Sequence, residues 1–149
     1  MHRSAAWRLY LDDQLSAAIG EREMIHLISA PQLWEVPGAP LHCQEVLLWQ
    51  GEVLPAMDLA AWLGGQRART KVRYAAVLAY QGAPGTSPRY GALLLSQLPV
   101  RVLVEDEQGC PLPPQAGWPR IALSCFSQEG QPVPILDLPT VFGEALLGA

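Results

Sequence analysis

A nine-residue phrase, GEVLPAMDL at residues 51–59, returns 79 residues later as GQPVPILDL at 130–138. Gly51, Pro55, Asp58 and Leu59 recur as Gly130, Pro134, Asp137 and Leu138, and a further glycine follows each copy at the same distance, Gly64 and Gly143. A chain of 149 residues that writes one unit twice has little freedom left, because both halves must accommodate the same local geometry. The glycine turns the chain, the proline fits a strand edge or bulge where no ladder donor is needed, and the aspartate caps the helix that follows. Each half is therefore expected to carry one strand, one cap and one helix, the helices being LAAWLG after Asp58 and LPTVFGEALLG after Asp137. Pro139 is tolerated in such a first turn, where the amide has no intrahelical partner. The competing reading makes Asp58 and Asp137 a catalytic dyad that shares a proton, as in a small hydrolase. Leu59 and Leu138, core-type residues placed directly after the carboxylates, favour the caps.

Short apolar runs dominate the rest: residues 7–11, 45–50, 71–80, 90–106 and 121–128, separated by turn chemistry at PGAP, QGAPGTSP and PLPPQAGWP. Many strands at short spacing, punctuated by 13 Gly and 14 Pro, point to a mainly β fold of barrel type with a few short helices. Leu54, Val133, Ile135 and Leu136 are expected in the core. GEREMIHLI, residues 20–28, reads as a further helix, with Glu21 and Glu23 near its start and Met24, Leu27 and Ile28 on one side.

Half of the residues are hydrophobic and 16% are charged, which excludes a disordered chain. With ten Lys and Arg and a net charge of −4 there is no basic stripe for nucleic acid. Cys43, Cys110 and Cys125 lack C-x-x-C spacing, which argues against a disulfide framework and against zinc, and fits a reducing cytoplasm. No run approaches the roughly 18 apolar residues of a membrane span. His26 and His42 belong to no metal-ligand pattern, the serines sit in no nucleophile elbow, and GAPGTSP lacks the lysine of a phosphate loop. No catalytic residue, metal or cofactor is expected. Of the five tryptophans, Trp49, directly before the first motif turn, is the best placed to anchor a partner.

Residues 16–64, with PGAP followed by the G-x-x-x-P-x-x-D-L block, resemble the first half of a CheW-like domain, the adaptor fold of bacterial chemosensory arrays. YAAVLAY, YGALLLSQLPVRVLVED and IALSCFSQEGQPVPILDLPTVF follow that family's remaining strand order, so residues 1–149 resemble a single CheW-like domain. The resemblance implies two small intertwined five-stranded β-barrels, no catalytic activity, and binding to a chemotaxis histidine kinase or the cytoplasmic tip of a chemoreceptor, in a pathway such as that of pilus-based motility. It also implies a receptor-facing surface at Met24, His26, Glu45, Leu48, Trp49 and Gln50. Two family charges are missing there: Gln50 stands where an Arg is usual and His26 where a Glu is usual. A contact at this surface is then expected to lean on apolar groups. A small-ligand sensor, with a molecule held between barrels, is the other alternative.

Overall fold

A computed structural model describes residues 3–64 and 72–147. The described strands form two sheets. The first contains β1 (Arg3–Tyr10), β2 (Ser16–Gly20), β9 (Val100–Glu105), β10 (Ala122–Gln128) and β11 (Gln131–Leu136), in the order β10-β11-β2-β1-β9. The second contains β3 (Met24–Ser29), β4 (Trp34–Glu35), β5 (Glu45–Trp49), β6 (Glu52–Met57), β7 (Tyr74–Tyr80) and β8 (Arg89–Leu95), in the order β3-β7-β8-β6-β5-β4. The second sheet thus has six strands rather than the expected five, because the two-residue β4 adds to its edge. Four short helices complete the described fold: α1 (Leu59–Gly64), α2 (Trp118–Ile121), α3 (Leu138–Val141) and α4 (Glu144–Leu147). Lys71 and Gly148, ends of an expected strand and an expected helix, lie outside the described residues.

The sheets exchange strands in a matched way. Each holds a hairpin, β1–β2 or β7–β8, joined in parallel to a motif hairpin, β10–β11 or β5–β6. The strand after β2, which is β3, leaves for the second sheet and pairs with β7, while the strand after β8, which is β9, returns to the first sheet and pairs with β1. Each sheet then closes on itself. Beyond β3 the chain reaches β4, which pairs with β5 on the far edge. Beyond β9, Gly109 bridges Phe126 of β10 and the Cys110 amide donates to the Cys125 carbonyl at 3.0 Å. The connecting chain thus shortens the open edges of each sheet, and the exchanged strands make the two barrels intertwined.

Strand β7 shows why the sequence needs two barrels. Its YAAVLAY alternates, with Ala75 and Val77 in the core of the second barrel, and Ala76 and Leu78 in a larger cluster between the barrels. Strand β8 does the same with Ala92 and Leu94 against Leu93 and Leu95. Both faces are buried, so these strands read as unbroken apolar runs without polar alternation. The central cluster also takes Leu9, Ile19, Met57, Leu136 and residues of the four helices, and Trp118 is wholly buried in it. Leu54, Val133 and Leu136 are buried as expected, while Ile135 is only partly covered.

The repeat is reproduced at backbone level. Gln50 and Gly51 both have positive φ, 48° and 80°, and so do Glu129 and Gly130, 53° and 77°. These are two-residue hairpin turns of the type whose twist matches the strands, and they fix the pairs Trp49↔Glu52 and Gln128↔Gln131. Pro55 and Pro134 sit in interior strands, not at a sheet edge, yet each is tolerated for the expected reason. Their partners Val46 and Cys125 occupy non-hydrogen-bonded positions, and the parallel ladder on the other side begins one residue later, at Ala56 and Ile135. The amides of Asp58 and Asp137 then donate to carbonyls that are themselves 79 residues apart, those of His42 and Ile121, both at 2.8 Å.

The helix expected over residues 20–28 is not formed. Glu21–Glu23 makes one 3₁₀ turn, and Met24–Ser29 is the exchanged strand β3. Met24 and Leu27 still pack on the central cluster, because a bulge between Met24 and His26 shifts the alternation and mimics helical spacing.

Candidate functional site

The two motif aspartates begin α1 and α3, one in each half. An Asp58 carboxylate oxygen, Oδ1, accepts the Ala61 amide at 3.1 Å, a cap of the expected kind. Asp137 occupies the equivalent cap position but its side chain accepts no backbone amide; Oδ2 instead accepts the Thr140 hydroxyl at 2.9 Å. The expectation of two side-chain caps therefore needs correction at Asp137, whose carboxylate is engaged by the Thr140 hydroxyl instead. Among the described residues no group of three or more His, Cys, Asp or Glu could hold a metal ion.

The six residues of the expected partner surface fall on two different faces. On β5 the alternation puts Leu47 inside the second barrel and Trp49 on the same side, partly buried against that core. The Trp49 indole lies between the His26 ring, 6.4 Å away, and the Tyr90 ring, 5.5 Å away. His26 is exposed at this end of the barrel, Met24 is drawn inward onto the central cluster, and Gln50 stands exposed at the tip of the turn. Glu45 shares the Leu47 and Trp49 side of the strand by alternation. His26 and Trp49 are thus brought together.

Leu48 points the other way. It is 56% exposed and pairs across the hairpin with Val53, 67% exposed. With Trp34, 46% exposed, and Val46 they line a shallow hollow of about 250 Å³ beside Leu47. Four apolar side chains on the outer face of β4, β5 and β6 form a patch of the kind that marks an interaction surface. Trp34, Val46 and Val53 are not among the expected site residues. Val53 was recoverable from the sequence, because a two-residue turn at 50–51 puts it opposite Leu48. Trp34 was not, because its pairing depends on the closure of the barrel by β4.

Between β2 and β3 sits a half-buried carboxyl. Glu23 accepts the Gly20 amide at 2.8 Å, and burial pushes its carboxyl above the ordinary range, opposed by that amide and reinforced by the negative charge of Asp137. Arg8, which is buried, donates to Ser16 and Gln131, both at 3.2 Å, and covers the Tyr10 ring, so it clamps β1 to β2 and β11.

Strand exchange, barrel closure and the duplicated hairpin can now be set beside known proteins. The family model of the CheW-like domain matches residues 10–146. The chain belongs to the CheW-like domain family. Among solved structures it is similar to the scaffolding protein TtCheW from Thermoanaerobacter tengcongensis, with a TM-score of 0.68 over 91% of this chain and 90% of that one. At 11% identity the likeness is one of fold. No curated protein matches the chain significantly. Among the described residues of this CheW-like chain, no helix is long and apolar enough to cross a membrane.

Proposed function

We propose that residues 1–149 act as one non-catalytic adaptor module of a bacterial chemosensory pathway, of the pilus-motility type or another, working in the cytoplasm and binding a chemotaxis histidine kinase or a chemoreceptor tip. Membership of the CheW-like family supports the class of role. The observation that carries the choice of surface is the exposed pair Leu48 and Val53, flanked by Trp34, on the motif hairpin. Trp49, His26 and Gln50 lie at the turn end of the same hairpin on its other side, and Met24 and Glu45, the remaining expected residues, are set inward of the patch. With Gln50 and His26 in place of a charged pair, the contact rests on apolar burial and depends weakly on salt.

The test is titration calorimetry against the kinase's own CheW-like regulatory domain and against a receptor-tip fragment. Leu48→Asp with Val53→Asp is expected to abolish binding, and Trp49→Ala to weaken it by about 2 kcal/mol, as for a partly buried aromatic anchor. A second exposed apolar set lies on the first barrel, at Leu98, Val100 and Leu103. Binding that ignores the β5–β6 variants but is lost with Leu103→Asp would move the interface to that barrel.

A further inference from the structure

The seam that closes the first barrel carries two thiols. Gly109 bridges Phe126, so the next residues along, Cys110 and Cys125, face each other across the antiparallel pair. The Cys110 amide donates to the Cys125 carbonyl, and the two Sγ atoms lie 3.5 Å apart, in contact without a bond. Opposed residues at a hydrogen-bonded position have Cα atoms about 5.5 Å apart, the commonest Cα separation in disulfides. The register thus suits a disulfide, and closing the 3.5 Å gap between the sulfurs asks chiefly for side-chain rotation. Cys110 is partly exposed, while Cys125 is buried and lines a cavity of about 360 Å³ together with Gly109, Ser124, Phe126 and Ala6.

We propose that Cys110 and Cys125 form an oxidation site for hydroperoxides, closing an intramolecular disulfide across this seam. Cys110, the accessible partner, attacks the peroxide as its thiolate; the O–O bond breaks, an alcohol or water leaves, and Cys110 becomes a sulfenic acid. The Cys125 sulfur then attacks the Cys110 sulfur, the S–O bond breaks, and the departing hydroxide takes the Cys125 proton as water. Two thiols and one hydroperoxide give one disulfide, one alcohol or water, and one water. The order of attack follows from the environments: burial and the neighbouring Cys110 thiol push Cys125 up to about 12, so it resolves the intermediate and does not start the reaction. Cys43, buried in the central cluster away from any second thiol of the seam, serves as an internal control. The bond welds a junction that is otherwise held by one bridge and by hydrogen bonds from the segment after β9.

The experiment treats the whole chain with hydrogen peroxide, alkylates free thiols in denaturant, and maps the peptides by mass. Oxidation is expected to remove two of the three alkylatable thiols, link Cys110 to Cys125 within one chain, and be reversed by dithiothreitol. The oxidised protein should melt at a higher temperature than the reduced one. In Cys125→Ser the reaction should stop at a Cys110 sulfenic acid that dimedone traps. Disulfide-linked dimers, accumulation of Cys110 sulfinic acid while Cys125 stays alkylatable in the unsubstituted chain, or earlier loss of Cys43 would each overturn the proposal.

Discussion

Glu23 meets opposing demands, and its pH behaviour follows from them. Its carboxylate satisfies the Gly20 amide at the start of a 3₁₀ turn, yet burial and the charge of Asp137 disfavour ionisation. The folded state therefore holds the proton more tightly than the unfolded chain, whose carboxyl titrates near 4.5. Stability from this group is complete below that value and is lost as pH rises through the raised folded pKa. Glu23→Gln keeps an oxygen for the Gly20 amide and removes the charge. It is expected to raise the thermal midpoint at pH 7 and to lose that advantage at pH 4; a variant destabilised at pH 7 would show that the amide bond to a charged acceptor outweighs burial.

At the scale of elements, the hairpin turns and the motif strands were legible in the sequence because glycine, proline and aspartate each act through local backbone chemistry. Gly51 illustrates this: at φ 80° it supplies the conformation that side chains avoid, beside Gln50, which already bears that cost at φ 48°. Gly51→Ala is expected to cost about 1–2 kcal/mol in urea denaturation, from left-handed strain alone, since a Cβ there meets no atom within 4 Å. An unchanged midpoint would mean that the turn relaxes to another type. Residues 20–28 were misread because a bulge gives Met24 and Leu27 the same core exposure that a helical face would. Asp137 was misread in part, since no local rule ranks the Thr140 hydroxyl above a backbone amide. The candidate surface was legible only in its strand: which face of β5 turns outward follows from barrel closure, and so does the company of Trp34.

The whole molecule is where local reading stops, because its stability lies in pairings between distant segments. Neither barrel can be assembled from one half of the chain. β1 and β2 require β9 and β11 from the second half, while β3 requires β7, and the largest buried cluster draws on Leu9 and Ile19 as well as Leu93, Trp118 and Leu136. Helix α1 is tied in the same way: Trp62 packs so closely on Gly117 that a Cβ there would lie 2.5 Å from the ring, and Arg120 covers the indole from the other half. A fragment spanning residues 1–70 thus keeps the β5–β6 hairpin, with Val53 beside Leu48, but leaves its core faces open. An isolated hairpin with an exposed apolar face is marginal in water, so the fragment is expected to show no cooperative thermal transition. Mixing it with the fragment 71–149 should restore one, because the missing strands return from the partner piece and the entropy of two chains is offset by the shared core. Circular dichroism melts of each fragment and of the mixture provide the check. Independent cooperative folding of the first fragment would show that strand exchange between the barrels is dispensable, and that the two closed sheets are separable units.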